Sequence, residues 1–234
     1  MNQNNIRNLV VCRAGDTSLH PLWLHPPEDK NFDVWINYFG TQPGKYVNDC
    51  LIYKESGGTK FPELYDLINE NLEQILTYDT VWLPDDDIVT DVAAINQMFQ
   101  IFNEHELWLA QPSLHPNSYY SYSITLKNDG CSMRCTNFVE SMVPVFATKI
   151  LLKLLHTFKE NVSGWGLDFI WPKLLGNPRD KVGIIDSVAV FHSRPAGAGE
   201  LYQQTRKPAN DEMVNLTAKY KISLPYPMVT YQFL

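Results

Sequence analysis

An α/β fold is what this 234-residue sequence predicts. Short β-branched runs alternate with stretches of helical period, which points to a sheet covered by helices rather than to separate α and β regions. Hydrophobic residues make up 44% of the chain and aromatic ones 12%, enough for one sizeable core without disulfides. An acidic triplet closes an apolar strand-like run, at the kind of position where α/β sheets bind ligands.

The elements follow in order. Residues Asn8 to Cys12 read as the first strand, followed by the loop RAGDTSLHP, and FDVWINYFG supplies a second strand that ends on Gly40. From Phe61, FPELYDLINENLEQILT sets Leu64, Leu67, Ile68, Leu72, Ile75 and Leu76 at helical spacing, with Pro62 suited to a first turn. TVWLP is a short buried strand that runs into Asp85, Asp86 and Asp87. A second helix is expected over Val92 to Asn103, and LWLAQP makes another strand. His115 to Gly130, rich in Ser, Tyr and Asn, reads as an irregular or hairpin segment lining a binding surface. Ile150 to Lys159 is helical, GWGLDF opens a helix that runs through Leu175, and VGIIDSVAVFH is expected as the last strand. From Pro195 to Leu234 the period fades. The whole chain, 1–234, is expected to be one domain, with 195–234 a tail packed on it.

Composition excludes some functions. Nineteen basic residues against 26 acidic ones give a net charge of -7, without a Lys/Arg run able to track a phosphate backbone, so nucleic acid is not an expected partner. Nothing approaches the ~20 apolar residues of a membrane span, and the N-terminus lacks the apolar stretch of a secretory signal. The expectation is a soluble cytoplasmic protein. Cys12, Cys50, Cys131 and Cys135 are too scattered for a disulfide framework and are expected as free thiols. Glycosylation triplets at Asn161 and Asn215 carry little weight without a signal.

In an extended segment, side chains at i and i+2 point the same way, so Asp85 and Asp87 can share one ion while Asp86 faces elsewhere. Such a pair suits Mg²⁺ or Mn²⁺ with phosphate oxygens completing the shell. The alternative is a solvated turn whose acids favour the next helix, although three mutually repelling acids are easier to explain beside a positive charge. DDDIV also fits the pattern of aspartate-nucleophile phosphohydrolases, for which no downstream acidic pair is evident.

Other residues have chemistry of their own. Asp168, after Gly164, Trp165 and Gly166, is either a general base or a helix N-cap. Trp165 offers a stacking face for a sugar or belongs to the core. His192, ending a strand, is a structural histidine or a metal ligand that would favour Mn²⁺ over Mg²⁺. Lys60, after Gly57, Gly58 and Thr59, is placed to meet phosphate, while Arg194 meets phosphate or the surface. Arg13 and Asp16, in the loop after the first strand, are candidates for nucleotide contact. Glu140 either binds an acceptor or is a satisfied supporting acid.

The stretches TK at Thr59 and Lys60, DDDI, AQPSLHPNS, FVESMVPVF, GWGLDF and VGIIDSVAVFH, taken together, resemble a domain-of-unknown-function family common in plants and bacteria and regarded as glycosyltransferase-like. Cys131 and Cys135 depart from it by standing closer together than that family's cysteines in this region. The resemblance implies a single-domain A-type glycosyltransferase fold, with a central mixed, mostly parallel sheet flanked by helices. It also implies a metal site, Mn²⁺ or Mg²⁺, from Asp85, Asp87 and His192, and Asp168 as base. The partners it implies are a nucleotide-sugar donor and a glycan or other hydroxyl acceptor, with inversion at the sugar expected from the role of Asp168. Two other functions stay open: a non-catalytic nucleotide- or glycan-binding module, and a phosphohydrolase with Asp85 as nucleophile.

Overall fold

A computed structural model describes residues 7–195 and 209–234. Its sheet is built from β1 (Asn8–Ala14), β2 (Phe32–Tyr38), β3 (Ile52–Glu55), β4 (Thr80–Trp82), β6 (Leu109–Leu114), β7 (Met133–Thr136), β8 (Val145–Ala147), β9 (Val182–His192) and β10 (Thr230–Phe233), with a two-residue β5 (Ile88–Val89) attached to β9. The order across the sheet is β10-β7-β9-β6-β8-β4-β1-β2-β3. Pairing is parallel from β3 through β4 and between β6 and β9, and antiparallel around β8, β7, β10 and β5. This is a single α/β domain with a mixed sheet.

Alternation along the strands sorts the core into two layers. From β1, Leu9 and Val11 face one layer, which α1 (Lys60–Glu70), α4 (Thr148–Leu154), α5 (Leu167–Leu174) and α6 (Ala209–Lys219) help to fill. Val10, Cys12 and Ala14 face the other, filled by α3 (Val92–Glu104) and the 3-10 turn His20–Leu24. Every residue of β1 is buried, as expected of a strand covered on both faces.

Several expectations need correction. The helix expected through residue 77 breaks at Asn71, where the side chain donates to the Leu67 carbonyl at 2.8 Å and the chain restarts as α2 (Leu72–Ile75). Only the first half of 150–159 is α-helical, Leu155–Lys159 being a 3-10 turn. β9 is not the last strand, because the tail holds α6 and then β10, which pairs antiparallel with β7 at the sheet edge. Residues 196–208 of that tail lie outside the described part. All four cysteines are free, and no helix among the described residues is long and apolar enough to cross a membrane.

Candidate functional site

β1 has parallel neighbours on both sides, β2 and β4, so the chain leaves its C-terminal end in one direction and returns on the other side. This is a topological switch point, where α/β sheets open a crevice. The loops after β1 and β4 meet there: Gly15 N–H donates to Asp86 Oδ2 at 2.8 Å and Leu19 N–H to the Asp86 carbonyl at 2.6 Å. A cavity of about 350 Å³ opens above them, and Arg13, Asp16, Lys60, Asp85, Asp87, Glu140, Trp165, Asp168 and His192 all line it. Every candidate from the sequence is therefore in one place.

Asp85, Asp87 and His192 present ligand atoms within 4.8 Å of one another. Strand pairing does this over a long sequence distance, because Ile88 of β5 sits opposite His192 at the end of β9. His192 Nδ1 donates to the Tyr119 carbonyl at 2.7 Å, which leaves Nε2 facing Asp87 Oδ2 at 3.2 Å. An imidazole anchored through one nitrogen and presented through the other is how metal-binding histidines are held. Burial pulls the His192 pKa down, but Asp87 and the Tyr119 carbonyl outweigh it and lift it to about 9.

Each acid of the triplet has its own cation. Lys60 Nζ donates to Asp85 Oδ1 at 2.6 Å, Arg194 reaches Asp86 Oδ1 at 3.4 Å, and His192 faces Asp87. The positive charge that three clustered acids call for is thus supplied in part by the chain itself. The Asp86 carboxylate takes Gly15 N–H and Arg194 as partners and stays outside the group of Asp85, Asp87 and His192, although residues 86–87 form a turn rather than the extended segment that the i, i+2 argument assumes. Burial raises the Asp86 pKa to about 6. Asp85 is also raised, by burial against the opposing pull of Lys60. Lys60 does not stand open toward a phosphate, since its ammonium also donates to the Ser141 and Met142 carbonyls, each at 3.0 Å. Arg194 likewise is engaged, donating to the Thr17 carbonyl at 2.7 Å.

Asp168 is not the helix N-cap: Gly166 holds that position and Asp168 sits in the first turn of α5. The turn before it is fixed by Asn161, whose side chain donates to the Trp165 carbonyl at 2.7 Å and accepts from Gly164 N–H at 2.9 Å. Asn161 is thereby buried and engaged at both ends, which removes it as a glycosylation site. Burial raises Asp168 to about 7, although nearby backbone N–H groups favour its ionised form. Glu140 is pushed to about 8, by burial and then by Asp168. Its backbone N–H donates to buried Gln111 at 2.6 Å, but its Oε2 has no hydrogen-bond partner. Trp165 is half-buried on the cavity wall.

Asp16 is held rigidly. It accepts from the Tyr38 hydroxyl and from Thr41 N–H at 2.9 Å, and the Tyr38 and Thr41 bonds lower its pKa to about 2. The Arg13 guanidinium is spent on the loop before α1, donating to the Ser56 carbonyl at 3.0 Å and the Gly58 carbonyl at 2.6 Å, and its Nε is unpartnered. Burial lowers the Arg13 pKa to about 10. Sequence reasoning singled out none of Phe39, Tyr120 and Tyr122, which line the cavity too. The Ser/Tyr-rich character of 115–130 is the signal for the two tyrosines, and Phe39 has only its place at the end of the second strand.

The family described as a protein of unknown function (DUF707) matches residues 127–224, less than half of the chain. No curated protein matches the chain in sequence. Among solved structures, residues 1–349 of TarS from S. aureus superpose with a TM-score of 0.55 at 11% identity, covering 92% of this chain and 72% of that one. The same TarS segment in complex with UDP-GlcNAc gives 0.59 at 12% identity, over 91% and 64%. Against the longer TarS chain the values are 0.56 and 10%, over 92% of this chain and 44% of TarS. The likeness is one of fold: this chain shares with TarS an α/β architecture, and carries at its switch point an Asp–Asp–His cluster fit to hold a cation.

Proposed function

We propose that this protein is a metal-dependent glycosyltransferase of the A-type fold, moving a sugar from a nucleotide-diphosphate donor to a hydroxyl acceptor with inversion. The observation that carries the proposal is the meeting of Asp85, Asp87 and His192 with buried Asp168, its pKa raised to about 7, in one cavity at the switch point. Fold likeness to a protein that binds UDP-GlcNAc supports the choice of donor.

The donor set fits a divalent cation: two carboxylates and an imidazole already oriented through its other nitrogen, a set that suits Mn²⁺ better than Mg²⁺. Asp87 and His192 would hold it directly, and Asp85 directly or through water and the donor ribose. A cation held there would supply charge neutralisation for the departing diphosphate. Arg13, Asp16 and Lys60 form the nucleotide side of the cavity, and Lys60 adds positive charge beside Asp85. Trp165 and Glu140 form the acceptor side. Asp168 takes the proton of the acceptor hydroxyl as its oxygen bonds to the anomeric carbon, and the electrons of the broken C–O bond leave on the diphosphate. A pKa about 7 suits a base working at neutral pH.

A panel of nucleotide sugars in a thermal-shift assay, with and without Mn²⁺, tests the reading. A true donor at ~100 times its dissociation constant should stabilise the protein by ~2.7 kcal/mol. Asp87→Ala should abolish the Mn²⁺-dependent part, and undiminished metal-dependent binding in that variant would sink the assignment. A second reading, a non-catalytic nucleotide- or glycan-binding module that keeps the metal site but lacks turnover, draws on the private cation of each triplet carboxylate, which leaves the cluster paired without a reaction. Mn²⁺-dependent release of the sugar from the donor separates the two.

A further inference from the structure

The segment Tyr119–Ser123 stands at the mouth of the cavity and is held firmly. Tyr119 N–H donates to the His192 carbonyl at 3.2 Å, and His192 N–H to Ser118 Oγ at 3.1 Å. Further along, Arg134 donates to the Ile124 carbonyl at 2.9 Å and the Leu126 carbonyl at 2.7 Å while paired with buried Asp186. On this fixed stretch Tyr120 keeps 47% of its surface exposed and still lines the cavity, as do Tyr122 and Trp165. Rigid aromatic side chains present large contact area at little entropic cost, which makes them binding anchors. Glu140 lines the same cavity, only 6% exposed, and its Oε2 has no partner. Ser121, between the two tyrosines, lines the same cavity as this carboxyl. A buried oxygen left unpaired is costly, and is explained where a ligand completes it.

We propose that this corner, Tyr120, Tyr122 and Trp165 over Glu140 and Asp168, is an acceptor subsite for an uncharged carbohydrate. The proposal rests on the transferase reading of the cavity and deepens it by naming the acceptor's class. A pyranose ring has an apolar C–H face for the aromatic walls and a hydroxyl edge for the carboxyl floor. A lipid chain would lie against buried carboxyls, an unfavourable contact. A side-chain hydroxyl of a protein offers no flat apolar face. An anionic acceptor would meet Glu140, Asp168 and the nearby triplet, all of like charge when ionised.

The test uses the full chain with Mn²⁺ and the nucleoside diphosphate that corresponds to the best nucleotide sugar of the thermal-shift panel. Neutral and acidic oligosaccharides are first screened on an array, and the strongest binder is then titrated calorimetrically against wild type, Tyr120→Ala and Tyr120→Phe. A neutral oligosaccharide should bind, Tyr120→Ala should weaken it about tenfold, and Tyr120→Phe, which keeps the ring, should restore it. Nucleotide–Mn²⁺ affinity should be unchanged in Tyr120→Ala. Retention of no neutral oligosaccharide, preference for acidic ones, or binding indifferent to Tyr120→Ala would overturn the proposal. Oligosaccharide binding through Tyr120 without nucleotide binding would support the subsite and fail the transferase reading instead.

Discussion

Asp168 is the residue at which sequence and structure give the sharpest test. Because Gly166 is the helix cap, Asp168→Asn removes the proposed base without removing a cap. It should lower transfer roughly 10²-fold or more while donor and metal affinity hold, as single-turnover rates beside calorimetry would show. Wild-type transfer should rise with pH through about 7 as the carboxyl loses its proton. Stability should move the other way. Unfolded, an aspartate titrates near ~3.9, whereas folded Asp168 holds its proton to about 7. The native state therefore binds the proton more tightly, and its stability falls as pH rises between those values. At pH 8 the Asn variant should be more stable than wild type by on the order of 2 kcal/mol in urea titrations. The types and candidacy of Asp85, Asp87, Asp168 and His192 were legible in the sequence; the partners of Lys60, Arg13 and Arg194 were not, since nothing local dictates contacts across 25 to 177 residues.

Elements were legible in proportion to how far their own period explains them. β1, β2, α3 and β9 carry strong patterns and stand where expected. β5 has two residues and no pattern, and exists because it pairs with β9. β8 is three residues wedged antiparallel between β4 and β6. The turn into α5 depends on Gly164 and Gly166, both left-handed at φ 82 and 96. A Cβ on Gly164 would lie 2.7 Å from the Phe61 ring. Gly164→Ala should therefore destabilise the protein by about 2 kcal/mol in denaturant titration and displace Trp165 and Asp168, with transfer falling beyond the loss of folded protein. Glu212 of α6 holds the same loop from outside, accepting from Ser163 N–H at 2.8 Å. Glu212→Ala should lower transfer with little loss of global stability.

Across the whole molecule, the sheet order could not be read from the strands, because antiparallel insertion of β8 and the return of the tail to β7 are decided by packing. ANDEMVNLTAK in α6 buries only Leu216 and Thr217, too few to mark a helix by period. One buried ion pair ties the distal half together: Arg134 Nε and Nη2 grip Asp186 at 2.8 and 2.9 Å, joining β7 to β9 and the 115–130 segment to both. Asp186→Ala leaves a buried guanidinium without its counterion and should cost roughly 3–5 kcal/mol. Tyrosine fluorescence should report the release of the 119–122 segment along with the drop in midpoint.

The private cations of the acidic triplet set the order in which partners come and go. A cluster already balanced by Lys60, Arg194 and His192 has little electrostatic debt to a bare ion. The fold should melt at the same temperature in EDTA as in buffer, and Mn²⁺ alone should bind weakly. In the proposed reaction, diphosphate oxygens would complete the coordination shell, so metal and nucleotide should dock together and leave together. In equilibrium dialysis, nucleotide should raise Mn²⁺ affinity by the same factor by which Mn²⁺ raises nucleotide affinity. On the proposed reading, the metal would be a passenger arriving with its donor rather than a permanent resident.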